Sequence, residues 1–207
     1  MNVLDSNPTV SGRTKVHEQL LVLLRMDFQP LYAIVDAARD SRVLSTLLQS
    51  KSQYQSLYEG PKAASLAQFS PYLIRLPQDS PLLETLVRGG WGNSWGVYLT
   101  CASEFSEVRR HLRHFMEVTL PDGRRAYFRF YDPRVLRVYL PTCTPEDTKG
   151  FFGPVGAYLV EDETSEKLLR FVNTDKGCLE TAIGLHDRDE QSQWTVPQKV
   201  VPRPRSG

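Results

Sequence analysis

The run Phe128–Leu140, FRFYDPRVLRVYL, constrains this chain more than any other stretch of it. Phe128, Phe130 and Tyr131 favour extended backbone. A strand there places Phe128 and Phe130 on one face and Tyr127, Arg129 and Tyr131 on the other. Asp132 then offers a carboxylate to the first free amides of a helix. Pro133 suits the first helical position, where its missing N–H has no intrahelical partner. Val135, Leu136 and Tyr139 follow as an apolar stripe at helical spacing. Upstream, Pro121, Asp122 and Gly123 carry the turn chemistry of a hairpin loop. The expectation is hairpin, strand and capped helix, with Arg129, Arg134 and Arg137 at the junction.

Elements alternate on either side of this run. Residues 1–13 are polar and expected to be flexible. From about Thr14, Val16, Leu20, Leu23 and Leu24 share a helical face. LYAIVDAA reads as a buried strand with Asp36 at its carboxyl end. Ser41 is placed to cap a second helix with Val43, Leu44, Leu47 and Leu48 inward. QYQSLYEGP alternates weakly into a strand and breaks at Gly60-Pro61. PYLIRL is a further strand, Ser80-Pro81 opens a helix that Gly89-Gly90 closes, and WGVYLTC is another strand. In SEFSEVRRHLRHF, Phe105, Val108, Leu112 and Phe115 line one side, with acids first and bases last along the helix dipole. Thr144-Pro145-Glu146-Asp147 resembles a capping box opening a short helix to Gly150. FFGPVGAYLVEDE and KLLRFVNT read as strands, and after Thr174 the pattern weakens. From Gln191 the chain is Pro-rich, basic and expected to be disordered. The fold class is therefore α/β, with α+β as the alternative: one domain over 14–190, built on a mixed β-sheet with an antiparallel hairpin and helices packed on its faces.

Composition narrows the function. Hydrophobic residues make up 41% of the 207, enough to bury a sizeable core, and a net charge of +1 disfavours a purely electrostatic partner. Cys101, Cys143 and Cys178 are widely spaced and odd in number, which fits neither a disulfide framework nor a CxxC site and favours a reducing compartment. The first apolar run, LLVLLRM, is too short to span a membrane. The expectation is a soluble, cytoplasmic protein with no membrane and no nucleic-acid partner.

Several constellations invite a chemical reading. Gly92-Asn93-Ser94-Trp95-Gly96 spells a nucleophile elbow, but that chemistry requires strand, turn and helix in that order, and here a helix precedes and a strand follows. Cys101 ends a strand before a helix start, without a placed base, so a hydrolase using Ser94 or Cys101 is an alternative rather than the reading. His111 and His114 have a spacing that can share a metal, yet no acidic or cysteine partner lies nearby, and the last turn of a helix favours imidazolium. No cofactor or metal is expected. Eight arginines between Arg109 and Arg137 interleave with Tyr127, Phe128, Phe130 and Tyr131, and RNA binding through 125–137 is a second alternative. Asp36 and Glu59 close two candidate strands, at the edge where open α/β sheets hold ligands. Pairing with Arg39, Arg75 or Arg129 is the favoured reading over acid–base chemistry.

LYAIVDAA, LYEG, PYLIRL, HLRHFMEVTLPDGRRAYFRFYDPRVLRVYL and FFGPV, in that order over roughly Leu31 to Val155, resemble the type VI secretion adaptor, or effector chaperone, family, long catalogued as a domain of unknown function. FRFYDPRVL is the specific part. The resemblance implies a non-enzymatic cytoplasmic protein of a Gram-negative bacterium. Such a protein binds a cognate toxin effector, keeps it soluble and loads it onto the VgrG spike. It carries over to Asp36, Glu59, Arg129, Tyr131, Asp132, Pro133 and Arg134, as partner contacts or as supports of the fold.

Overall fold

A computed structural model describes residues 8–26, 29–120 and 122–185. The elements run α1 (Pro8–Arg25), β1 (Leu31–Asp36), α2 (Ser41–Gln49), β2 (Tyr54–Ser56), α3 (Pro61–Ser65), β3 (Pro71–Leu76), α4 (Pro81–Gly90), β4 (Gly96–Cys101), α5 (Phe105–Arg113), β5 (Glu117–Thr119), β6 (Arg125–Tyr127), α6 (Pro133–Tyr139), α7 (Pro145–Phe152), β7 (Val155–Glu161), β8 (Lys167–Thr174) and β9 (Gly177–Gly184). Seven strands form one sheet in the order β2-β3-β1-β4-β7-β8-β9, and β5 pairs with β6 in a separate hairpin.

The α/β class holds, with helices on both faces. One core layer joins α1, α2 and α4 to one face through Leu20, Leu24, Val43, Leu47, Leu83 and Val87. The other joins α5, α6 and α7 to the opposite face through Val108, Leu112, Leu136, Phe151 and Phe152. All six residues of β1 are buried, Ala33 and Val35 in one layer and Tyr32 and Ile34 in the other.

The mixed sheet is corrected: every described pairing within it is antiparallel. Antiparallel sheets commonly wet one face and alternate in sequence, whereas sheets covered on both faces read as continuous apolar runs, like parallel ones. The crossovers exist, but each spans an intervening strand. Because β3 and β4 are both antiparallel to β1, the β3-α4-β4 unit joins two like-directed strands across it. The β1-α2-β2 unit does the same across β3. The carboxyl ends of β1, β2, β7 and β9 therefore share one sheet edge with the amino ends of β3, β4 and β8.

Local readings shift in detail. Helix α1 already begins at Pro8, so residues 8–13 are helical rather than frayed. The cap of α2 is Asp40, whose carboxylate accepts from the Arg42 amide, and Leu48 of that helix is exposed rather than inward. Helix α7 opens on Thr144 as expected, its hydroxyl accepting from the Asp147 amide, but runs on to Phe152. Strand β9 carried no readable alternation because four consecutive residues, Leu179 to Ala182, are exposed. The Pro-rich segment 191–207 lies outside the described residues.

Candidate functional site

The strand expected through Tyr131 ends at Tyr127. Residues 128–131 instead turn inward, because their rings pack better into the core than a ladder would allow. Phe130 and Tyr131 are buried, and Phe128, Phe130 and Phe151 form one aromatic cluster. The expected face alternation is lost, while the junction that follows is kept. Asp132 caps α6, its Oδ1 accepting from the Arg134 amide at 3.0 Å, with Pro133 in the first turn.

This turn delivers Arg129 to the sheet edge. Its Nη2 donates to Asp36 Oδ2 at 2.6 Å and lies 3.9 Å from Asp132 Oδ2. The Asp36 side chain is 2% exposed, and its Oδ1 accepts the Ala38 amide at 2.9 Å. Arg134 grips Asp132 with two further bonds, Nε to Oδ1 at 2.9 Å and Nη2 to Oδ2 at 2.6 Å. Burial works to raise the Asp132 carboxyl, but the Arg134 hydrogen bonds and the charges of Arg134 and Arg129 hold it below the ordinary range. Each oxygen of both carboxylates thus has a donor, while the two arginine side chains remain nearly half exposed.

Tyr131 lies beneath this pair, its ring centre 6.0 Å from the Arg129 guanidinium carbon. Burial and the Asp36 charge raise its phenol, which is hydrogen-bonded to that of Tyr58. Tyr58 in turn packs on the exposed Tyr127, ring centres 6.0 Å apart.

Glu59 stands apart from the Asp36 cluster and pairs with arginines that the sequence reading did not name. Arg109 Nη1 reaches its Oε1 at 3.2 Å, and Arg113 Nη1 contacts the same oxygen. Both arginines project from α5 and also clamp the carboxyl end of β2: Arg109 Nε donates to Ser56 O and Arg113 Nε to Leu57 O, the next residue. The structure therefore brings Asp36, Arg129, Tyr131, Asp132 and Arg134 together, with Glu59 joined to them through Tyr58.

A further acid at this edge escaped the sequence reading. Glu161 closes β7 as Asp36 closes β1, and it is 5% exposed. Its carboxylate accepts the amides of Gly92 and Ser94 and the Ser94 hydroxyl, the last at 3.1 Å. Burial raises its carboxyl, opposed by those donors. A polar residue ending a long apolar strand was the available signal. Ser94 thus lies in a helix-to-strand loop, where its hydroxyl supports a neighbouring acid. The other candidates are similarly engaged: Cys101 is buried, its thiol donating to Pro154 O at 3.1 Å, and burial raises it. His111 Nε2 lies 2.9 Å from Phe151 O, and His114 Nδ1 2.7 Å from Arg110 O. In 125–137, Arg125 pairs with Glu117, Arg129 with Asp36 and Arg134 with Asp132. Among the described residues no helix is long and apolar enough to cross a membrane.

The fold and this edge define a three-layer domain in which an arginine-rich turn locks onto strand-end carboxylates. Residues 31–149 match the domain-of-unknown-function family DUF4123, and the chain belongs to that family. No curated protein and no solved structure shows significant similarity to it.

Proposed function

We propose that this protein is a non-enzymatic cytoplasmic adaptor that binds a type VI secretion toxin effector and helps to load it onto the VgrG spike. The observation that carries the reading is the coincidence of two segments. Of the residues to which the adaptor resemblance carries over, Asp36, Arg129, Tyr131, Asp132 and Arg134 form one cluster inside the span matched to DUF4123, with Glu59 nearby on Arg109 and Arg113. Buried carboxylates hold Arg129 and Arg134 in place while leaving nearly half of each side chain in solvent. Arginine so fixed loses less side-chain freedom when it grips a partner.

The test is co-expression of the full chain with candidate toxin effector and VgrG spike proteins from the same bacterium, followed by affinity purification. A stoichiometric complex with the effector is expected. Arg129→Glu and Arg134→Glu lower the melting point, and should abolish capture at a temperature where circular dichroism still reports a folded chain. No complex with any of these proteins overturns the adaptor reading. Capture that survives both reversals in folded protein moves the contact away from this edge.

A further inference from the structure

The two ends of the sheet are unlike. One ends in β2, three residues long. The other ends in β9, which pairs with β8 over all eight residues, Lys167↔Gly184 through Thr174↔Gly177, and with no other described strand. Natural edges are blunted by shortness, proline, bulges or inward charge. β9 has no proline, keeps an unbroken register and carries Glu180 as its one charged residue. Leu179 stands 52% exposed on it.

We propose that β9 is a self-pairing edge: two copies of this chain join β9 to β9, antiparallel about a two-fold axis at Thr181, into one continuous sheet. The pleat fixes where such an axis can lie. Residues directly opposed in an antiparallel pair share a face, so the residue on the axis must face its own copy. The two residues nearest the middle of β9 are Glu180 and Thr181. An axis at Glu180 opposes like charges, which destabilises the pair. An axis at Thr181 opposes threonine to threonine, a favourable cross-strand pair, and sets Glu180 against Ala182. It also sets Leu179 against the partner copy's Ile183, on the face where Ile183 already packs against the α1, α2 and α4 core. The exposed leucine is then covered by an extension of that layer.

The experiment is sedimentation of the full chain over a concentration series, beside Leu179→Lys and Thr181→Pro. Wild type is expected to pass from monomer to dimer. Both variants stay monomeric, Leu179→Lys with unchanged circular dichroism and melting because the site is exposed. In a Cys178→Ser background, Thr181→Cys oxidised with diamide should give a disulfide-linked dimer; two thiols form the bond and the diazene takes up both hydrogens. A wild-type monomer at every concentration overturns the proposal, whether its β9 amides exchange freely or are protected within one chain. A dimer that tolerates Leu179→Lys and gives no Thr181→Cys cross-link also overturns it.

Discussion

Arg129 Nη2 lies 2.6 Å from Asp36 Oδ2, across 93 residues of sequence. The bond fastens the turn before α6 to the end of the central strand β1. On the same stretch of edge, the Asp36 amide donates to Trp95 O at 2.7 Å and the Ala37 amide to Ser70 O at 3.1 Å. Four segments distant in sequence therefore meet at Asp36, and the arginine is the part of that joint which reaches solvent.

Arg129→Met should strand a buried carboxylate. Breaking a fully buried pair costs about 3–5 kcal/mol. Here the arginine side chain is 44% exposed, so water replaces part of the contact and about 1–3 kcal/mol is expected. Urea unfolding checks this. The double variant with Asp36→Asn should cost less than the sum of the two single changes, since each removes the same bond. Strict additivity would mean that the two side chains do not stabilise one another.

Asp132 has two separable roles, cap and ion pair. Asp132→Ala should lose about 0.5–2 kcal/mol from the cap alone, whereas Asp132→Asn keeps an acceptor for the Arg134 amide and gives up the charge. The folded carboxyl titrates below its ordinary 3.8, so folding favours the ionised form. That contribution is complete above pH 3.8 and is lost as pH falls through the folded value. Unfolding midpoints measured downward from pH 5 should fall less steeply for Asp132→Asn than for wild type. Equal slopes would remove Asp132 from the acid response.

What could be read from sequence was what is decided locally. Asp132-Pro133 and Thr144-Pro145 announce their helices because a cap and a first-turn proline act within four residues. Asp36 was legible as a strand-end acid, and Arg129 was among its named partners. The two arginines on Glu59 were not: they lie on α5, which reads by its apolar face and its dipole, and nothing local aims their side chains at Glu59. Strand direction was hidden because both faces of β1 are buried. Phe128–Tyr131 misled because tertiary packing of the rings overrode strand preference. Glu161 carried the same signal as Asp36 but had no arginine-rich run pointing to it.

Within Gly92–Gly96 the glycine matters more than the serine. A Cβ on Gly96 would lie 1.9 Å from the Ile34 carbonyl oxygen, inside the β1–β4 pairing. Gly96→Ala is expected to cost more than 3 kcal/mol or to prevent folding, since backbone on both sides must move. Ser94→Ala removes one hydroxyl bond to Glu161 and should cost about 1 kcal/mol. Comparing the soluble yield and melting of the two variants checks the ranking. A nucleophile elbow would instead make Ser94 the sensitive position for activity, with fold unchanged.

Glu161→Gln tests the acid that joins the β7 end to the α4–β4 loop. Oε2 faces the Gly92 amide, while Oε1 faces the Ser94 amide and hydroxyl. A glutamine must therefore set its NH₂ against another donor whichever way it is turned, a mismatch worth about 1–3 kcal/mol. The pH dependence runs opposite to that of Asp132. Burial raises the folded Glu161 carboxyl above its ordinary 4.5, so ionisation is harder in the folded state. The resulting penalty appears as pH climbs through 4.5 and is complete above the folded value. Glutamine does not titrate, so its deficit against wild type should be widest near pH 4.5 and narrow toward neutrality. Urea midpoints for both proteins at the two pH values measure it. A deficit that widens with rising pH would mean that the Gly92 and Ser94 donors outweigh burial and hold Glu161 ionised.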